Sequence, residues 1–125
     1  MEADTPPLLP SSFANPALDL TPGDVSARLA AGTIVLVDVR EQHEWDAGRV
    51  PGAVHHEIER VASRAPLLDR AVPVAFMCRG GVRAGMVATA FRAIGYDAYN
   101  VRGGFTHWHA AGLPTEPDGA VVAEH

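Results

Sequence analysis

Cys78 is the only cysteine of this 125-residue chain, and Arg79, Gly80, Gly81, Val82 and Arg83 follow it directly. A thiol becomes a strong nucleophile where its surroundings favour the thiolate, as cations and helix amino termini do. Arg79 and Arg83 supply permanent positive charge. Gly80 and Gly81 let the backbone curl so that several N–H groups converge, a nest for an anion. The chemistry this pattern suits is covalent catalysis: the sulfur attacks a substrate and a second nucleophile releases the adduct. A lone cysteine is more often an inert core residue. Core cysteines rarely stand at the edge of an Arg-Gly-Gly-x-Arg run, so the reactive reading is preferred.

The flanking residues say how such a thiol is placed. Val72 to Met77 is a nearly unbroken apolar run, as expected of a strand covered on both faces. Pro73 is tolerable only at the start of such a strand. Beyond the glycines, Val87, Ala90, Phe91 and Ile94 recur at helical spacing, and Gly95 is a natural helix stop. Cys78 should therefore lie at the carboxyl end of a strand and face the amino end of a helix, where free N–H groups favour negative charge.

The rest of the chain alternates in the same way. Residues 1–17 hold four prolines without periodicity and are expected to form a flexible arm. Leu18–Leu20 suggests a short strand. Thr21, Pro22 and Asp24 suit the N-cap, N1 and N3 positions of a helix ended by Gly32. Thr33–Val37 is a second buried strand, followed by a short helix over 41–47 and a Pro-Gly turn over 49–53. A brief strand at 54–55, a helix over roughly 57–64, a last strand over 96–101 and a helix opened by Gly103-Gly104 complete the pattern. This order predicts an α/β domain over 18–114, a parallel sheet of about five strands with helices on both faces. Ligands bind beyond the carboxyl ends of such strands, where Cys78 sits. Residues 115–125 are expected to be a loose acidic tail.

Charge and composition exclude several functions. The net charge is −5, with no lysine among the ten basic residues. Schiff-base catalysis and a phosphate-loop lysine are therefore impossible. Residues 21–112 hold all ten arginines against nine carboxylates, so the body is nearly neutral and the ends are acidic. That argues against nucleic-acid binding. One cysteine permits no internal disulfide and no cysteine metal cluster. The six histidines match no ligand spacing, so no metal and no cofactor are expected. No apolar run is long enough to span a membrane, and the opening residues lack a signal peptide's basic and apolar regions. The cytoplasm is the expected compartment.

Three separated pieces carry a resemblance. They are Asp38-Val-Arg40 with Glu44-Trp45 and Gly48-Arg-Val-Pro-Gly-Ala53, the loop Cys78–Arg83, and Gly103-Gly-Phe-Thr-His-Trp108 through Gly112-Leu-Pro114. In this order the chain resembles the rhodanese family of sulfurtransferases over Leu18–Pro114. Arg49 stands where many members have histidine, and Ala84 where many have serine. The resemblance implies a six-residue loop whose N–H groups cradle a persulfide on Cys78. It also implies a small anionic donor such as thiosulfate, and a thiol or protein acceptor. Arg79 and Arg83 would attract that donor. Two alternatives share the cysteine: a sulfur-carrier or interaction module with little turnover, and an arsenate reductase. Tyrosine-phosphatase-type loops place five residues between cysteine and arginine. Here only four separate Cys78 from Arg83, which should suit one extra sulfur better than a phosphate.

Asp38, Arg40 and Glu44 form the remaining candidate set. A structural role near the site is expected rather than acid–base catalysis, because buried charges come paired. Arg40 and Glu44, four apart, suit an ion pair. Trp45 and Trp108 are expected to be packing aromatics.

Overall fold

The computed structural model describes residues 16–125; nearly all of the arm expected over 1–17 lies outside the described residues. After a 3-10 turn at Pro16–Leu18 come β1 (Asp19–Leu20), α1 (Pro22–Ala30), β2 (Val35–Asp38) and α2 (Gln42–Ala47). β3 (Val54–His55), α3 (Ile58–Val61) and a second 3-10 turn at Ala65–Leu67 follow. The chain then forms β4 (Val74–Met77), α4 (Val82–Ala93), β5 (Ala98–Val101) and α5 (Gly104–Ala110). The five strands are parallel in the order β1-β5-β4-β2-β3. The strand that ends at Met77 is thus central, as its apolar run requires.

Two apolar layers cover the sheet. Along β4, Val74 and Phe76 face one layer, Ala75 and Met77 the other. α3 and α4 close the first through Val61, Ala84, Val87, Ala88 and Phe91. α1 and α5 close the second through Val25, Phe105 and Trp108. Thr21 caps α1, its hydroxyl accepting from the Asp24 N–H at 3.1 Å, so the cap read from the sequence is in place.

Some boundaries and faces differ from expectation. β4 starts at Val74 rather than Val72: Pro73 has no N–H for the ladder and only its carbonyl takes part, accepting from the Val35 N–H at 3.0 Å, while Val74 gives the first N–H, to the Asp97 carbonyl at 2.9 Å. α3 stops at Val61, where Arg64 and Ala65 donate to the Val61 and Ala62 carbonyls three residues back as the chain tightens toward a 3-10 turn. On α4 the buried face is Ala84, Gly85, Val87, Ala88 and Phe91, whereas Ala90 and Ile94 face outward. Small residues let the helix lie close to the sheet, and that contact sets its phase. The expected loose tail is instead tied down: Glu116 pairs with Arg49 in an antiparallel bridge, and Val121 donates to the Ala47 carbonyl at 3.0 Å. No helix among the described residues is long and apolar enough to cross a membrane.

Candidate active site

Cys78 follows β4 directly and α4 begins four residues later, so the loop spans the gap between a strand end and a helix start. The Cys78 Sγ accepts hydrogen bonds from the Gly81 N–H at 3.0 Å and the Ala84 N–H at 3.4 Å. Both donors belong to the opening of α4, where backbone N–H groups lack intrahelical acceptors. The thiol is 1% exposed. Gly81 has φ +102°, a conformation side chains avoid, and this turns the chain from the loop into α4. Gly80 is not in that region, and a Cβ there would meet open space. Only one of the two glycines is therefore required by the curl.

α5 holds the loop from the other side. The Cys78 carbonyl accepts from the Phe105 N–H at 2.8 Å, and the Arg79 carbonyl from the Thr106 N–H at 3.0 Å and its hydroxyl at 2.8 Å. Planar trans peptides then send the N–H groups of Arg79 and Gly80 away from α5. Gly104 makes this approach possible: a Cβ there would lie 2.4 Å from the Cys78 carbonyl oxygen. Sequence reasoning named neither Gly104 nor Thr106 as part of the site. The one signal was the adjacent Gly103-Gly104 pair after the last strand.

The two loop arginines are placed differently. Arg83 forms a two-point pair with Glu44, Nη1–Oε1 and Nη2–Oε2 both 3.2 Å. Arg79 is the more exposed, and its Nε donates to the Ala123 carbonyl at 3.1 Å. The expected Arg40–Glu44 pair does not form. Arg40 precedes α2, so helical spacing does not apply to it, and it turns back to Asp38 with Nη2–Oδ2 at 2.8 Å. The Arg40 backbone N–H and Nε also bond Asp38 at 3.0 Å, and Nη2 donates to the Gly48 carbonyl at 2.6 Å. Its guanidinium lies 4.3 Å from the centre of the Phe105 ring. Asp38 and Arg40 are wholly buried. Together they brace the end of β2, which is paired with β4 at Asp38↔Met77, next to the cysteine.

Burial works to raise the Glu44 pKa, but the Arg83 hydrogen bond and charge, the Glu41 backbone N–H and the Arg40 charge prevail, and it lies below the ordinary 4.5. A carboxylate held below its unfolded value contributes stability that is present above that value and lost as pH falls through the folded one. Glu44→Gln, which keeps an oxygen for the Glu41 N–H, should therefore cost about 1–3 kcal/mol near pH 7. The deficit should shrink as wild-type Glu44 takes up its proton below pH 4.5. Urea unfolding of both proteins at pH 7 and pH 3 measures this; an equal gap at both would contradict it. His56, 8% exposed, is held below its ordinary 6.5 by burial and by the nearby Arg64 and His55. It follows β3, with its Nδ1 3.3 Å from Arg64 Nη1.

Comparison with known proteins bears on the fold and the family. The family description "Rhodanese-like domain" matches residues 21–111. The chain is 31% identical over 99 residues to the thiosulfate sulfurtransferase GlpE of Actinobacillus succinogenes, covering 78% of this chain and 89% of that protein. It is 32% identical over 112 residues to the HTH-type transcriptional regulator Rv0324 of Mycobacterium tuberculosis, covering 88% of this chain but only 49% of the regulator. The crystal structure of a rhodanese-related protein from Thermoplasma volcanium superposes with a TM-score of 0.73 at 21% identity, over 78% of this chain and 96% of that one. A parallel five-stranded sheet, a cysteine loop at its centre and a family match over most of the domain lead to one assignment: this chain belongs to the rhodanese-like domain family.

Proposed function

We propose that the chain is a sulfurtransferase that carries sulfane sulfur on Cys78. The observation that supports this most directly is the pair of backbone N–H groups at 3.0 and 3.4 Å from Sγ. They stabilise negative charge on sulfur, first a thiolate and then a persulfide. With thiosulfate as donor, the Cys78 thiolate forms a bond to the outer sulfur and the S–S bond of the donor breaks. Sulfite leaves with the electron pair, and Cys78–S–S⁻ remains. Cyanide, or a thiolate of a small molecule or protein, then takes the outer sulfur and returns the Cys78 thiolate. Cyanide yields thiocyanate. No outside oxidant or reductant is needed, and no cofactor takes part.

The arginines divide the work in this reading. Arg83 is matched by Glu44 and fixes the loop, whereas Arg79 stands at the mouth and meets the anionic donor. That revises the expectation that both capture it. It also supports the argument against phosphate esters, since Arg83 is already engaged by a carboxylate. The test is a mass spectrum of the intact protein after thiosulfate: a gain of one sulfur atom that dithiothreitol or cyanide removes. Arg79→Ala should raise the thiosulfate KM by about 5–50-fold, the range for losing one charge-assisted contact, with a smaller change in kcat. No sulfur adduct on Cys78 with any sulfane donor would reject the proposal.

Likeness to part of a transcriptional regulator favours a second reading, a sulfur-carrying module that turns over small donors poorly. It predicts the same adduct with a negligible steady-state rate, so mass and turnover measured together separate the two.

A further inference from the structure

The chain beyond Glu116 turns back along α2 and α5 and ends beside Arg79, the residue after the cysteine. It is anchored first by the Arg49–Glu116 bridge, with backbone bonds of 2.9 and 2.8 Å. The Val121 N–H then bonds the Ala47 carbonyl, and Val122 packs against the apolar layer that holds Phe105 and Trp108. The fit is close at Gly48, where a Cβ would lie 2.7 Å from the Val121 carbonyl oxygen. Gly48 has φ 176°, an extended conformation open to any residue. Glycine is needed there because the returning chain leaves no room for a side chain. His109 and His43 hold the segment at the Ala120 and Glu124 carbonyls, at 2.9 and 2.8 Å.

This segment ends on the loop cation. The Ala123 carbonyl accepts from Arg79 Nε at 3.1 Å, and the Glu124 carboxylate is 4.0 Å from Arg79 Nη2. A carbonyl bonded to Nε and a carboxylate at ion-pair distance from Nη2 thus compete for the guanidinium that an anionic donor would use.

We propose that residues 120–124 form a strap that competes with small anions for Arg79 and so limits their access to Cys78. The inference rests on the donor-capture role given to Arg79 above, and it adds a built-in competitor. Docking is specified by packing at Gly48 and Val122, so the strap is a defined closed state. Releasing Arg79 to a donor requires only that it exchange the Ala123 and Glu124 oxygens for those of the donor, while the Ala47, His43 and His109 bonds keep the segment in place. The exposed Glu124 carboxylate sets the charge part of the competition, and the Ala123 bond holds the guanidinium's direction.

Alkylation of Cys78 tests this without sulfur transfer. Iodoacetate is anionic and iodoacetamide is neutral, so the ratio of their rates reads how freely an anion reaches the thiol. Deleting residues 120–125 should raise that ratio about 3–10-fold, and Glu124→Gln about 2-fold, the scale of partly screened surface charge pairs. Glu124 is 96% exposed, so its replacement leaves the fold intact even if the deletion does not. In an Arg79→Ala background both changes should leave the ratio unaltered. The thiosulfate KM should fall by the same factors, with kcat nearly constant. An unchanged ratio in both strap variants, or an increase that persists without Arg79, would overturn the strap. A raised ratio with no sulfur adduct in any variant would keep the strap and reject the sulfurtransferase reading.

Discussion

Cys78→Ser is expected to remove sulfur transfer, by on the order of 10⁴-fold or more, as when an attacking group is deleted. An alcohol at neutral pH is far less ionised than a thiol and holds a transferred sulfur poorly, so the covalent intermediate does not form. Serine is the better test variant on physical grounds. Its oxygen still accepts from the Gly81 and Ala84 N–H groups that now bond Sγ. Alanine would leave both donors without their acceptor in a site that is 1% exposed, at a cost of about 1–3 kcal/mol, which would mix folding with chemistry. Thiocyanate formation from thiosulfate and cyanide, with thermal unfolding as a control, is the measurement. Turnover clearly above the uncatalysed rate in a folded serine variant would place the nucleophile elsewhere, and no other cysteine is available to take its part.

The strand, loop and helix around this cysteine were legible because they are local. A both-faces apolar run, a glycine that takes positive φ and a helix start are written in consecutive residues, and the structure places them in that order. Pairings that join distant segments were not legible in the same way. Spacing suggested Arg40 with Glu44, yet α2 begins only at Gln42, so the two are not on one helix. Burial then sorts the charges by geometry: Arg40 reaches Asp38 at the strand end, and Glu44 is met by Arg83 from 39 residues away. The buried face of α4 was read only in part, with Val87 and Phe91 buried as expected but Ala90 and Ile94 exposed, for a related reason. Ile94 is more apolar than Ala88, but Ala88 is fully buried and Ile94 is 52% exposed, because close approach to the sheet favours small residues. α5 holding the Cys78 and Arg79 carbonyls, and the strap on Arg79, depend on the order of strands and the path of the last residues, which local patterns do not encode.

Asp38→Asn is expected to lower stability by about 3–5 kcal/mol, the range for breaking a buried ion pair from one side. Domains of this size have roughly 5–15 kcal/mol in all, so much of the protein could unfold at 37 °C. The reason lies with Arg40. Its side chain is 0% exposed, and its Nη1 has no hydrogen-bond partner among the described residues. Asp38 supplies the counter-charge and accepts from Nε, Nη2 and the Arg40 backbone N–H. Asparagine keeps the shape but removes the charge and turns one acceptor into a donor facing the guanidinium. Contact with the Phe105 face offsets none of this, since it is present in both proteins. If the pair is structural, Asp38→Leu with Arg40→Met should regain most of the lost stability, because apolar side chains can replace a buried ion pair. If Asp38 instead moves protons, the asparagine variant should fold as well as wild type and lose turnover alone. Denaturant unfolding with steady-state sulfur transfer on the single and double variants separates the two. A fully stable but inactive Asp38→Asn protein would move this carboxylate from the frame of the site into its chemistry.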